Sequence, residues 1–223
     1  MNDELAARRP LKSRSNPLAG KLSRGLLRCG IRPNQVSTAS VAFAVITAVS
    51  LWAIHHGWPP SFAWLLAAVG IQGRLLCNLM DGMLAVEGGL KTPNGDLYNE
   101  FPDRLADTLI LASLGYAGTT EASVALGWLA ACGALMTACV RMHGASLTAA
   151  HDFRGPMAKP HRMALATAVC VVMALLAAMS SDFNIVPWAL ALMVLGIAIT
   201  LVRRLSGLSQ ALHRKASSTS APL

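Results

Sequence analysis

Residues 78–107 read NLMDGMLAVEGGLKTPNGDLYNEFPDRLAD, and their polar pattern decides how the rest of the chain is read. The stretch leaves one apolar run and enters another. Between them it carries Asn78, Asp81, Glu87, Asp96, Asn99, Glu100, Asp103, Arg104 and Asp107. On a helix, Asn78 and Asp81 share a face at i, i+3, as Asp81 and Ala85 do at i, i+4. Asn99, Asp103 and Asp107 recur every four residues along one stripe, with Glu100 beside it. A tight connection between two such helices brings their oxygen ligands face to face.

The surroundings of this stretch are those of a membrane protein. The 223 residues are 54% hydrophobic and only 13% charged, where a soluble domain averages about 25% charged residues. Six apolar runs are visible: Val36–Ile54, Phe62–Met80, Leu105–Thr120, Ser123–Val140, Met163–Ser181 and Ile185–Val202. In lipid every backbone N–H and C=O must be paired within the chain, so such runs read as helices. The expected fold is all-α and integral to the membrane: a bundle of six transmembrane helices over residues 36–204. Arg74 and Asp107 are the charged residues inside these runs, and the quoted stretch joins the second run to the third.

Basic residues orient the bundle. Apart from Arg74, every lysine and arginine lies before the first run, after the sixth, or around the second and fourth connections. The loops His55–Ser61, Thr119–Ala122 and Ser180–Asn184 contain none. The positive-inside rule then puts both termini and the two long loops in the cytoplasm. A net charge of +8 therefore marks topology, not nucleic acid. Residues 1–35 form a cytoplasmic N-terminal segment without a cleavable signal pattern. Within it Leu18, Leu22, Leu26 and Leu27 alternate with Lys21, Arg24 and Arg28, as in an amphipathic helix lying on an anionic membrane surface. Residues 205–223 read as a disordered cytoplasmic tail. The five cysteines show no metal spacing and read as reduced packing residues.

Several carboxylates at a membrane edge are costly unless a positive charge neutralises them. A hard divalent cation is the economical partner, because the stretch offers oxygen donors and neither thiol nor imidazole. Gly82 and Ala85 leave room beside such an ion for a bulky ligand.

The arrangement resembles the CDP-alcohol phosphatidyltransferase family, whose motif runs D-x-x-D-G-x-x-A-R-x8-G-x-x-x-D-x-x-x-D. Asp81, Gly82, Ala85, Gly95 and Asp103 match at the family's spacing; Asn78, Val86 and Asn99 stand where the motif has aspartate, arginine and aspartate. Pro33-Asn34 resembles the turn before the family's first helix, and residues 155–162, GPMAKPHR, a basic segment opening its fifth. The resemblance implies a phospholipid-synthesising enzyme of a bacterial inner membrane, working as a homodimer. A hydroxyl of an alcohol or phosphorylated alcohol attacks the β-phosphorus of a CDP-alcohol such as CDP-diacylglycerol, and CMP leaves. It further implies Mg²⁺ or Mn²⁺ as cofactor. Asp81 would be a metal ligand, Asp103 a ligand or the general base, and Asn78 and Asn99 neutral carbonyl ligands, with Glu100 joining a shifted ligand set. Gly82, Ala85, Gly95, Arg74, Arg141, Lys159 and Arg162 would line the substrate sites.

The departures have consequences. Two asparagines remove two negative charges that a metal pair would need, and Glu100 or Asp107 are the residues placed to compensate. Asp107 is equally suited to pairing with Arg104 or Arg74. A catalytically inactive relative that serves as a membrane scaffold stays open beside the enzyme. A transporter is disfavoured, because no inverted repeat or broken helix is visible.

Overall fold

The computed structural model describes residues 17–90, 92–148 and 151–219. Among these residues the chain is all-helical. It comprises α1 (Pro17–Arg28), α2 (Pro33–Ala53), α3 (Pro60–Glu87), α4 (Gly95–Ala117), α5 (Glu121–Thr148), α6 (Lys159–Ala178) and α7 (Val186–Thr219), with a single 3₁₀ turn at Ile54–His56. Prolines open α2, α3 and α6, where a missing N–H costs nothing and φ is already helical. Gln35 accepts the Arg32 N–H at 2.9 Å and secures the start of α2. Gly57 ends the first long hairpin at φ +83°, a left-handed conformation that glycine adopts without steric cost.

Five helical stretches are long and apolar enough to cross a membrane: Pro33–His56, Pro60–Val86, Glu121–Thr148, Lys159–Ala178 and Val186–Ser217. Among the described residues, five of the six expected apolar spans meet this measure. The helix that falls short is α4, because Asp96, Glu100, Asp103, Arg104 and Asp107 crowd its N-terminal half. Its C-terminal half is nonetheless deeply buried, with Ile110 and Leu111 fully enclosed. The apolar runs also underestimate helix length. α3 continues past Met80 to Glu87, and α4 begins at Gly95, ahead of Leu105. α7 extends through Thr219, so the segment expected as a disordered tail is helical as far as it is described. The charged stretch Met1–Arg14 lies outside the described residues.

α4 sits at the centre, packed on α2 and α5 and touching α3 and α7; α2 packs on α3, α3 on α6, and α5 on α7. Small residues allow the close crossings. A Cβ built on Gly127 of α5 would lie 2.7 Å from the Gly115 Cα of α4, so only glycine permits this approach. Buried hydroxyls return to the helix backbone: Thr47 donates to Phe43 O at 3.1 Å, Ser50 to Ile46 O at 2.7 Å and Thr200 to Gly196 O at 2.7 Å. No polar group among these faces hydrocarbon unpaired. The outer faces carry Val45, Val49, Leu65, Val69, Leu192 and Leu195, all exposed. Such a continuous apolar exterior suits lipid, not water, and the chain is a multi-pass membrane protein.

α1 rests against one end of the bundle. Ala19 is buried with Val36, Met80, Met83 and Leu84, while Leu26 and Leu27 pack on that cluster. Leu18 stays 70% exposed beside exposed Lys21 and Arg24.

Candidate active site

Arg74, Asn78 and Asp81 stand at i, i+4 and i+7 of α3, so helical geometry gives them one face. Across from them, Asp103 and Asp107 stand one turn apart on α4. Asn78 Nδ2 donates to Asp103 Oδ1 at 2.5 Å. Arg74 Nη2 donates to the same oxygen at 3.2 Å and to the Asp103 carbonyl at 3.3 Å, and it is ion-paired with Asp107. Lys159, the first residue of α6, pairs with Asp103 Oδ2. Arg162, one turn further, reaches Asp107 Oδ2 at 3.3 Å, the Met157 carbonyl at 2.9 Å and Thr137 Oγ1 at 3.3 Å. Asp81 accepts from Ser37 of α2 at 2.7 Å. Helices α3, α4 and α6 thus supply one buried ionic network, with Thr137 of α5 bonded to Arg162 and Ser37 of α2 to Asp81.

Its energetics follow from burial. The Arg74 side chain is 0% exposed and that of Arg162 4%. A charge so enclosed is tolerable only when paired and hydrogen-bonded. Asp107 meets this demand by bridging the two guanidiniums, which settles its partner as Arg74 and not Arg104. Arg74 Nε and Nη1 and Arg162 Nε are buried without a partner, so the network holds more donors than acceptors.

A second cluster forms around Glu100, one turn before Asp103 on α4. Glu100 accepts from Arg141 Nη2 at 2.9 Å through both oxygens and pairs with Arg104. Arg141 also lies 5.7 Å from the centre of the Phe153 ring, within cation–π range. Phe153 leads into a cavity of about 570 Å³ between the ends of α5 and α7 and the loop before α6. His151, Asp152, Arg154, Arg204 and Gly207 are among its lining residues. Arg204 is fixed by bonds to the Arg154 carbonyl at 3.0 Å and the Thr137 carbonyl at 2.8 Å. His151 Nδ1 is buried with no partner. Burial raises the Asp152 carboxyl, but hydrogen bonds from the Arg154 side chain and N–H outweigh it and hold the group below its ordinary range.

The structure therefore gathers Asn78, Asp81, Asp103, Arg74, Lys159 and Arg162, and separates Glu100 and Arg141 from them. Among the described residues no three His, Cys, Asp or Glu side chains form a group able to hold a metal ion, so Glu100 does not join Asp81 and Asp103. The two arginines that claim its carboxylate are the physical reason. Asn99 is exposed at the start of α4, away from these contacts, while Gly82, Ala85 and Gly95 are half-buried. Arg74 and Arg162, expected to face substrate, instead spend their charge inside the protein. What remains for a divalent ion is Asp81, Asp103 and the carbonyl oxygen of Asn78. These are hard oxygen donors of the type a divalent ion takes, so their chemistry fits such an ion. Ser37, Arg204 and His151 escape sequence reading, since nothing in the spacing links Ser37 to a carboxylate 44 positions away.

No family model matches the chain. A stretch of 97 residues is 33% identical to the phosphatidylinositol phosphate synthase of Mycolicibacterium smegmatis, covering 44% of this chain. The match spans 40% of that relative's own length. The fold is that of the Mycobacterium tuberculosis phosphatidylinositol phosphate synthase. One crystal structure of that enzyme, with manganese and citrate, superposes at TM-score 0.68 with 18% identity over 85% of this chain and 88% of the other. A second, with CDP-DAG bound, gives 0.67 with 19% identity over 86% and 94%. Local sequence and overall fold both agree with the CDP-alcohol phosphatidyltransferase resemblance carried by Asp81, Gly82, Ala85, Gly95 and Asp103.

Proposed function

We propose that this chain transfers a substituted phosphate from a CDP-alcohol, CDP-diacylglycerol in the first instance, to a hydroxyl of a small acceptor, releasing CMP. The observation that carries the reading is Asp103, held by Asn78, Arg74 and Lys159 beside Asp81 at the end of α3. The likeness to synthases that use such donors supports it. α4 counts as the sixth span, its buried C-terminal half completing a crossing of about 34 Å at 1.5 Å per residue. α1 lies on the membrane surface through Leu18 and Leu22. Both termini face the cytoplasm of a bacterial inner membrane, and two copies associate.

In this reading Asp103 takes the proton of the acceptor hydroxyl as its oxygen bonds to the β-phosphorus. The bond between that phosphorus and the bridging oxygen breaks, and CMP departs with the electron pair. Asn78 and Arg74 hold the Asp103 carboxylate in place, and Ser37 does the same for Asp81. A divalent ion on Asp81, Asp103 and the Asn78 carbonyl oxygen would supply charge neutralisation for the leaving group. Gly82 and Ala85 leave space for the nucleotide. The cavity lined by His151, Arg154 and Arg204 suits a phosphorylated acceptor, whose oxygens find guanidinium donors there.

A second reading has its own observation. Asn78 and Asn99 carry no charge, and Asp103 is already paired with Arg74 and Lys159, as in an inactive relative retained as a scaffold. CMP release by the purified protein with CDP-diacylglycerol, Mn²⁺ or Mg²⁺ and a panel of acceptors separates the two. Metal-dependent CMP that disappears in Asp81→Ala and Asp103→Ala supports the transferase. No CMP from folded protein with any acceptor supports the scaffold.

A further inference from the structure

Both oxygens of Asp103 are taken: Oδ1 by Asn78 and Arg74, Oδ2 by the Lys159 ammonium. One turn along α4, Asp107 is held by Arg74 and Arg162. Asp81, Asp103 and Asp107 thus share a site with Arg74, Lys159 and Arg162, and the set carries no net charge. Two divalent ions arriving with a doubly ionised pyrophosphate would leave two net positive charges in this neutral and largely buried set. Like charges at short range in a poorly solvated site are strongly unfavourable. One divalent ion arriving with a doubly ionised pyrophosphate adds no net charge at all.

Resting on the transferase reading, we propose that the Lys159 ammonium fills a cation position on Asp103. The site then takes up a single divalent ion, and takes it up together with a nucleotide pyrophosphate. Two features of the chain fit this arrangement. At position 78 a second carboxylate would lie against Asp103 and repel it, whereas the Asn78 amide donates to it at 2.5 Å. The neutral residue matches a site whose positive charge is already built in. Arg74 and Lys159 also differ in mobility. Arg74 is enclosed on every side, while the Lys159 side chain keeps 30% exposure on a flexible stem. Lys159 is therefore the group that turns from Asp103 to a phosphate oxygen when the nucleotide enters.

Manganese titration of the full chain in detergent, read by loss of the free-ion electron paramagnetic resonance signal, tests this without measuring turnover. Wild type is expected to bind Mn²⁺ weakly alone. With CDP-diacylglycerol present it should bind at least tenfold more tightly and saturate at one ion per chain. Lys159→Gln is expected to bind Mn²⁺ alone at least tenfold more tightly than wild type, and Lys159→Arg to behave as wild type. Two ions per wild-type chain overturn the proposal. So does equal Mn²⁺ affinity of wild type and Lys159→Gln when their melting transitions agree. If Lys159→Gln does not fold, the wild-type stoichiometry and the nucleotide dependence still decide. An enzyme that makes CMP with two ions bound keeps the transferase and loses the Lys159 assignment; an inactive chain with the expected binding pattern does the reverse.

Discussion

Asn78 of α3 donates its amide to Asp103 of α4 at 2.5 Å, beside the Arg74 ion pairs that join the same two helices. At this position an aspartate would set two carboxylates against each other in a partly buried site. Asn78→Asp is expected to lose roughly 2 kcal/mol, the scale of a broken buried hydrogen bond with a partner left uncompensated. Millimolar Mn²⁺ should restore much of the loss by screening the pair. Melting temperature in detergent, with and without Mn²⁺, checks this; a variant as stable as wild type in chelator contradicts it.

Asp107 bridges Arg74 and Arg162, whose side chains are 0% and 4% exposed. Removing the bridge leaves two enclosed guanidiniums short of a counter-charge, which costs about 3–5 kcal/mol for a buried pair broken on one side. Asp107→Leu should therefore lower the denaturation midpoint steeply. Adding Arg74→Met to it should recover part of the loss, since one unpaired charge is then gone. A double variant no better than the single would mean that the two effects are independent.

The α4–α5 crossing depends on Gly115 and Gly127, with the Cβ of an alanine at 127 lying 2.7 Å from the Gly115 Cα. Gly127→Ala must push the helices apart and is expected to cost about 1–3 kcal/mol, typical of overpacking. On α1 a Cβ at Gly25 meets nothing within 4 Å. Gly25→Ala should raise stability by up to about 1 kcal/mol through helix propensity alone. Chemical denaturation of the two single variants provides the comparison.

Burial pushes the Asp152 carboxyl up, but the Arg154 side chain and N–H outweigh it and hold the group below the ordinary carboxylate value of 3.8. A depressed carboxylate contributes stability above its unfolded pKa and loses it as pH falls through the folded one. The contribution is therefore present at neutral pH and fades below pH 3.8. Because the Arg154 side chain is 74% exposed, solvent screens much of this pair. Asp152→Asn should narrow the stability difference between neutral and acidic buffer. Melting curves of wild type and variant across that range check the sign, and a steeper acid loss in the variant would refute it.

The membrane frame was legible from local information. Apolar runs predict helices because lipid offers the backbone no alternative partner, and α2, α3, α5, α6 and α7 lie where those runs lie. The ends were not legible, since apolarity stops at the membrane edge while helix hydrogen bonding does not: α3 continues to Glu87, α4 begins at Gly95 and α7 reaches Thr219. Periodicity likewise placed Asn78 with Asp81 and Asp103 with Asp107 on common faces.

By itself, then, the amino-acid order determined which residues share a helix face and which segments prefer lipid, because both follow from helical repeat and solvation. Only the tertiary structure decided the partners. Glu100 and Asp103 are both acids of α4, three positions apart, yet one pairs with Arg141 and Arg104 and the other with Lys159 and Arg74. Arg74 and Arg162, free to reach substrate as far as spacing alone could tell, are committed to Asp107 within the protein. A Coulomb interaction depends on separation in space and on how much water lies between the charges, and neither quantity is written in the spacing along a chain.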